Sequence, residues 1–156
     1  TPEQVDRLMR AWADTGDFSQ SSLETVRQAA QRGNAAAQVE LGSRYYHGKG
    51  VPKNDTEAVD WYRKAAEQGE AEAQNNLGWM YLNGRGVPQD DAEAVHWLRK
   101  AVEQGNTLAQ SSLGWMYDNG RGVPQDDAEA VRWYRKAAAQ GKKVAIENLK
   151  RLEVWD

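Results

Sequence analysis

The chain repeats itself every 36 residues, and this period constrains its fold more than any other feature of the sequence. Trp61, Trp97 and Trp133 are separated by this step, and several glycines and prolines keep the same spacing. Residues 69–104 and 105–140 differ at only 10 of their 36 positions. A unit of this length is too short to bury a hydrophobic core alone. Successive units must therefore stack and share one continuous core.

Each unit predicts two helices separated by a turn. Apolar side chains recur at helical spacing in 71–83 and again in 91–104. The segment 84–88 interrupts them, because glycine permits the left-handed exit from a helix and proline cannot continue one. Asp90 or Asp91 is placed to cap the second helix by accepting hydrogen bonds from its free N–H groups. The sequence therefore predicts an all-α chain of helix–turn–helix units.

The period also divides the chain, and we expect 1–156 to form a single solenoid domain. The expected parts are a degenerate N-terminal repeat at 1–32 with a helix in 3–14, full repeats at 33–68, 69–104 and 105–140, and a C-terminal capping helix at 141–156. Lys150 stands where the full repeats carry a glycine that admits a neighbouring helix. We therefore expect no further unit after this helix, so that the solenoid is complete at its C-terminus.

Composition argues against several classes of site. The chain has no cysteine, which excludes disulfides, thiol nucleophiles and cysteine-based metal sites. Its net charge of -3 does not favour electrostatic binding to nucleic acid. No uncharged stretch is long enough to insert into a membrane. His47 and His96 lie in different units without neighbouring ligands, so we expect no metal and no cofactor.

Catalytic chemistry has no visible candidate either. The Asp-Asp pairs that precede the second helices are placed for capping rather than for acid–base work. No serine has a histidine and an aspartate nearby in the repeat register, which leaves no nucleophile with its base. We therefore predict no catalytic residue and no enzymatic activity.

The repeated motif resembles a known family. Ala-x-Ala-Gln-x-x-Leu-Gly-x-x-Tyr-x-x-Gly-x-Gly-Val-Pro is followed by Glu-Ala-Val-x-Trp-x-Arg-Lys-Ala, and the pattern recurs at 35–65, 71–101 and 107–137. It resembles the Sel1-like repeat, a relative of the tetratricopeptide repeat. The resemblance implies a right-handed α-solenoid that acts as an adaptor or scaffold and binds a protein partner.

The tryptophans divide into two sets. Trp61, Trp97 and Trp133 lie between alanines on the second helices, which predicts packing in the core. Trp79 and Trp115 lie on the first helices, at a position that points into the concave groove if the resemblance to the tetratricopeptide repeat holds. The alternative is that both fill the seam between helices, because tryptophan is rarely left exposed without a partner.

The same register defines a candidate groove. By the resemblance, its partner-binding residues would be Ser43, Tyr46, His47, Glu72, Asn75, Trp79, Leu82, Asn83, Leu108, Ser111, Trp115, Asp118, Asn119 and Arg151, with Val39, Glu147 and Trp155 in equivalent positions. Exposed aromatic side chains beside amides and charges form a plausible contact patch, because tryptophan, tyrosine and arginine dominate interface energies.

Three functions are compatible with these observations. The first is a protein-binding module whose partner is a secreted effector or an envelope signalling protein. The second, suggested by the small acidic solenoid, is a bacterial periplasmic immunity protein that neutralises a toxic effector such as a secreted phospholipase. The third comes from a cysteine-rich branch of the family and is a penicillin-type small-ligand binder or hydrolase.

Two further expectations concern assembly and location. We expect a monomer. We also expect a bacterial protein that is periplasmic or exported rather than cytoplasmic, because many members of the family are. The chain begins at Thr1 rather than at methionine, which is compatible with removal of an export signal.

Overall fold

The computed structural model describes residues 1–3 and 17–153, and eight helices lie between Leu23 and Glu153. They are α1 (Leu23–Gln31), α2 (Ala35–His47), α3 (Asp55–Glu67), α4 (Ala71–Asn83), α5 (Asp91–Glu103), α6 (Thr107–Asn119), α7 (Asp127–Ala139) and α8 (Lys143–Glu153). The described part of the chain contains no β-strand. The predicted all-α architecture is confirmed. Most of the helix expected in 3–14, and Trp155, lie outside the described residues.

The helices stack in chain order. Each helix packs mainly against the helix before it and the helix after it, and the closest pairs are α2 with α3, α4 with α5, and α6 with α7. The core clusters cross the boundaries between these pairs. Tyr62 on α3, Leu77 on α4 and Trp97 on α5 belong to one cluster. The core is therefore shared between successive units, as a solenoid requires.

A glycine in the middle of each first helix lets the two helices of a unit approach closely. A Cβ atom on Gly114 would lie 2.8 Å from the ring of Tyr134, and one on Gly78 would lie 3.0 Å from Leu98. Gly42 stands in the same relation to the second helix of its own unit. The sequence expectation that this glycine admits a neighbouring helix is confirmed.

Side-chain caps begin the second helices. Asn54, Asp90 and Asp126 each accept a hydrogen bond from a backbone N–H in the first turn of the following helix. Asp91 has a different role, because its Oδ2 lies 2.6 Å from Nε of Arg121 in the turn of the next unit. Of the two residues considered for the cap of α5, Asp90 therefore takes that role and Asp91 links two units.

Buried glutamines also link the units. Gln74 is 4% exposed, and its Nε2 donates to the carbonyl oxygen of Ala66 at 3.1 Å. Its Oε1 accepts from Nε2 of Gln104 at 2.9 Å. Gln38 makes the two equivalent hydrogen bonds one period earlier. Gln110 accepts the equivalent of the second hydrogen bond one period later. One side chain thus pairs with a backbone carbonyl of the preceding helix and with a glutamine amide just after the following helix.

Removing this link should destabilise the protein. We expect Gln74→Ala to lower the free energy of unfolding by about 1–3 kcal/mol, because a buried acceptor and a neighbouring amide each lose a partner. Gln125→Ala, at an exposed turn position, should change it by about 0.5 kcal/mol or less. Urea denaturation followed by circular dichroism measures both values. Equal losses would contradict a structural role for the buried glutamine.

The predicted core set of tryptophans is only partly confirmed. Trp97 is 7% exposed and belongs to the core, whereas Trp61 and Trp133 are half-buried at the edges of their clusters. A lysine one turn later lies over each ring, as for Lys64 at 4.3 Å from the ring centre of Trp61. These lysine stems shield the outer faces of the rings from water.

Candidate protein-binding groove

Trp79 and Trp115 lie on the first helices α4 and α6 and are 38% and 37% exposed. Successive helical residues are rotated by about 100°, so Trp79 faces away from α5 while Leu77 and Met80 on either side of it are buried. This exposure favours the groove position over the alternative that both rings fill a seam between helices.

Trp79 forms part of the wall of a first hollow, of about 400 Å³, that crosses α2, α4 and α6. The ring of Tyr46 meets that of Trp79 edge to face, with ring centres 5.8 Å apart. The full lining is Ser43, Tyr46, His47, Tyr62, Glu72, Asn75, Asn76, Trp79, Met80, Leu108 and Ser112. The lining therefore combines aromatic rings with polar side chains.

A second hollow, of about 330 Å³, adjoins the first and reaches α8. Its lining is Trp79, Leu82, Asn83, Ser111, Ser112, Trp115, Arg121, Val144 and Asn148. Trp79 and Ser112 line both hollows, so the two lie side by side. We call them together the first-helix groove.

Two arginines flank the tryptophans, and neither was predicted to lie near the groove. Arg85 donates from Nε to Oδ2 of Asp55 at 2.8 Å, and its guanidinium lies 5.4 Å from the ring centre of Tyr46 and 6.0 Å from that of Trp79. Arg121 repeats this arrangement, 5.8 Å from the ring centre of the next tryptophan. Carboxylate partners in the preceding unit therefore hold both cations over aromatic rings.

The sequence indicates these ion pairs only in part. Arg-Gly-Val-Pro recurs one period apart at 85–88 and 121–124, and each acidic partner lies 30 residues before its arginine. The hydrogen bond from Arg121 lowers the pKa of Asp91 below its usual value. The repeat alone cannot reveal such a pair, because the contact depends on how two units stack.

Most of the predicted groove residues line the two hollows, and three do not. Asp118 instead accepts hydrogen bonds from Arg151 and from the hydroxyl of Tyr134. Asn119 donates from Nδ2 to the backbone oxygen of Trp115 at 2.9 Å. The side chains of Asp118, Asn119 and Arg151 therefore stabilise α6 and its contacts with the helices that follow.

Several groove residues were missed by the sequence analysis. Asn76 and Ser112 each stand one position after a predicted residue, and Val144 and Asn148 lie on α8. A helical face spans more than one residue per turn. The residues next to each predicted position could therefore have been predicted to line the groove as well. The contribution of α8 was not readable, because its sequence departs from the repeat.

One groove residue carries a polar atom without a partner. Asn75 is 7% exposed, and its Oδ1 has no hydrogen-bond partner among residues 1–3 and 17–153. It lines the first hollow. A buried acceptor of this kind is costly unless a donor reaches it.

Ser43 and His47 lie together in the first hollow, although no serine–histidine pair was expected from the sequence. Nδ1 of His47 lies 2.9 Å from the backbone oxygen of Ser43 and 3.3 Å from its Oγ. A nitrogen that faces a carbonyl oxygen must carry the proton and donate it, so it cannot accept the proton of the hydroxyl. The pair therefore lacks the arrangement that activates a serine nucleophile.

The described residues give no sign of a metal centre or a membrane span. Within 1–3 and 17–153, no group of three or more histidine, aspartate or glutamate side chains could hold a metal ion. No helix in the same ranges has both the length and the apolar character needed to cross a bilayer.

The family model described as Sel1 repeat matches residues 35–70, 71–106 and 107–142. This chain belongs to the Sel1 repeat family. The resemblance inferred from the motif is thereby confirmed. Sel1 repeat proteins typically take part in protein–protein interactions and are generally non-catalytic scaffolds.

Solved structures of bacterial proteins share the fold of this Sel1 repeat protein. A Sel1 repeat protein from Oxalobacter formigenes is 43% identical with a TM-score of 0.74, over 83% of this chain and 97% of that one. The protective antigen c5321 of uropathogenic Escherichia coli is 49% identical with a TM-score of 0.78, over 81% of this chain and 27% of that one. Cysteine rich protein B of Helicobacter pylori, 23% identical with a TM-score of 0.62, shares the fold alone.

A curated bacterial relative matches a shorter stretch. The secretory immunoglobulin A-binding protein EsiB of uropathogenic Escherichia coli is 51% identical over 41 residues. That stretch is 26% of this chain and 8% of EsiB. The match therefore covers little more than one repeat of a much longer protein.

Proposed function

We propose that this Sel1 repeat protein is a non-catalytic binding module that holds a segment of a partner protein in the first-helix groove. The observation that carries the proposal is the exposure of Trp79 and Trp115 in two adjoining hollows. Solvent-exposed tryptophans are a cost to an isolated chain and a source of affinity in a complex, where aromatic and arginine side chains supply most of the binding energy.

The shape of the groove favours a polypeptide over a small molecule. The two hollows lie side by side and together cross four helices, whereas small-ligand sites enclose most of their ligand. The orientation of His47 toward a backbone carbonyl argues against the hydrolase alternative. An immunity protein would be a particular case of this function, with the toxic effector as the partner held in the groove.

Trp79→Ala together with Trp115→Ala should abolish most of the binding. Partners are first captured from a lysate of the source bacterium on the immobilised wild-type chain, and their affinities are then measured by calorimetry. We expect the double variant to bind at least about 30-fold more weakly, because the loss of even one buried interface tryptophan commonly costs 2 kcal/mol or more.

The matched control changes two exposed residues on a second helix, outside the groove. His96 and Arg99 are exposed on α5 and line neither hollow, so His96→Ala with Arg99→Ala should leave affinity unchanged. A captured partner that binds both double variants as tightly as the wild-type chain would overturn the groove assignment.

We also propose that the protein acts outside the cytoplasm. EsiB is named for binding secretory immunoglobulin A, an extracellular protein, and c5321 is described as a protective antigen. Immunodetection in cytoplasmic, periplasmic and culture-medium fractions of the source bacterium tests this location. Recovery in the cytoplasmic fraction alone would contradict it.

A further inference from the structure

A third hollow, which is acidic, lies next to the first-helix groove. This hollow has a volume of about 320 Å³ and adjoins the first hollow at Glu72, which lines both. Four carboxylates line it, from Asp17, Glu40, Glu70 and Glu72. The groove is therefore polarised, with carboxylates at one end and aromatic rings in the middle.

Among the described residues, one of these four carboxylates has a basic partner within ion-pair distance. Glu40 forms an ion pair with the buried Arg44, whose Nε lies 2.7 Å from its Oε1. Partial desolvation of the Glu72 carboxyl, and repulsion by Glu70 and Glu40, raise the pKa of Glu72 above the usual value of a glutamate. A cation placed in the hollow would relieve this repulsion.

Asn75 supplies a second, independent indication of a ligand. It lies about one helical turn after Glu72 on α4 and lines the first hollow, as Trp79 does. Its Oδ1 is a buried acceptor without a partner in the described part of the chain. A backbone N–H of an extended segment is a donor of suitable size and direction for such a site.

We propose that the groove binds an extended segment that places a lysine or arginine in the acidic hollow and packs an apolar side chain against the rings of Tyr46 and Trp79. A backbone N–H of the segment donates to Oδ1 of Asn75. This assignment rests on the proposed function, because it names the chemistry of the partner that the same groove would hold.

The structure also sets the spacing of the two anchors. Glu72 and Trp79 are seven residues apart on α4, which corresponds to roughly 10 Å along a helix that rises about 1.5 Å per residue. An extended segment rises about 3.3 Å per residue. The basic side chain and the apolar side chain should therefore be about three residues apart in the bound segment.

Synthetic peptides with blocked ends test this inference on the full chain. The first carries lysine three residues from leucine in a glycine–serine background; in the second, glutamate replaces the lysine, and in the third, serine replaces the leucine. We expect the lysine–leucine peptide to shift the indole N–H resonance of Trp79 in heteronuclear NMR spectra and to leave that of Trp97 in place. The other two peptides should bind about tenfold more weakly, since each loses one anchor.

Variants of the acidic hollow complete the test. Glu70→Gln with Glu72→Gln should weaken binding of the lysine–leucine peptide about tenfold and reduce its dependence on salt. Glu67→Gln is the matched control, because Glu67 is exposed on α3 and lines none of the three hollows. It should change neither value.

Three results would overturn the inference: no shift at Trp79, equal affinity for the lysine and glutamate peptides, or equal effects of the paired and control glutamate variants. The proposed function is tested separately by the captured partner. A partner that needs Trp79 and Trp115 but tolerates Glu70→Gln with Glu72→Gln would overturn only the basic anchor. A partner that tolerates loss of both tryptophans would overturn both proposals.

Discussion

Trp97→Ala should lower the free energy of unfolding by about 3–5 kcal/mol, the range for removal of a large buried aromatic side chain. Trp97 is 7% exposed and belongs to the same core cluster as Tyr62 of the preceding unit and Leu77 of its own unit. Alanine would leave a cavity at the boundary between two units, where rigid helices on both sides limit collapse. The variant should therefore lose stability mainly because the contact that couples the two units is weakened.

Trp115→Ala is the matched control, because it removes the same atoms from a side chain that is 37% exposed. It should cost about 1 kcal/mol, since much of the ring already contacts water. Urea denaturation followed by circular dichroism gives both values. If the two variants were equally unstable, the division of the tryptophans into a packing set and a binding set would be wrong.

The helices could be predicted from the sequence because their signals are local. Apolar spacing predicted helices in 71–83 and 91–104, and the structure has them at Ala71–Asn83 and Asp91–Glu103. Gly84, with φ of +61°, ends the first, and Asp90 caps the second. Each of these signals acts within one or two helical turns, so a single repeat contains all the information.

The burial of individual tryptophans could not be predicted, because it depends on what covers each unit. Trp61, Trp97 and Trp133 occupy equivalent positions, yet only Trp97 is buried. The next residue, such as Tyr134, carries the contact with the glycine of the first helix. Trp97 shares a core cluster with Tyr62 of the preceding unit, whereas Trp61 and Trp133 pack only against the edges of their clusters.

The sequence predicted which helical positions would line the groove, but it did not predict the shape of the groove. Equivalent positions on the first helices gave Trp79 and Trp115 the same direction, because the helical repeat fixes the direction of each side chain, and both are exposed. The extents of the hollows depend on the distances between units, which no single repeat encodes. Asp118 and Arg151 illustrate the limit, because they occupy predicted groove positions and bind each other.

Gly86→Ala should destabilise the protein by about 2–5 kcal/mol, from the left-handed backbone and from overpacking together. Gly86 has a φ of +72°, and a Cβ atom there would lie 2.3 Å from the carbonyl oxygen of Asp55 in the preceding unit. Backbone atoms at the start of α3 cannot move aside as a flexible side chain would. The turn would have to retreat, and the ion pair between Arg85 and Asp55 would weaken with it.

Gly105→Ala separates the two causes. Gly105 has a φ of +76°, nearly that of Gly86, but nothing lies within 4 Å of the position of its Cβ atom. It should therefore cost only about 1–2 kcal/mol, the strain of a left-handed non-glycine residue. Both variants are compared with the wild-type chain by urea denaturation. Similar losses would mean that the turn does not press on the preceding unit, and that units are coupled through their helices alone.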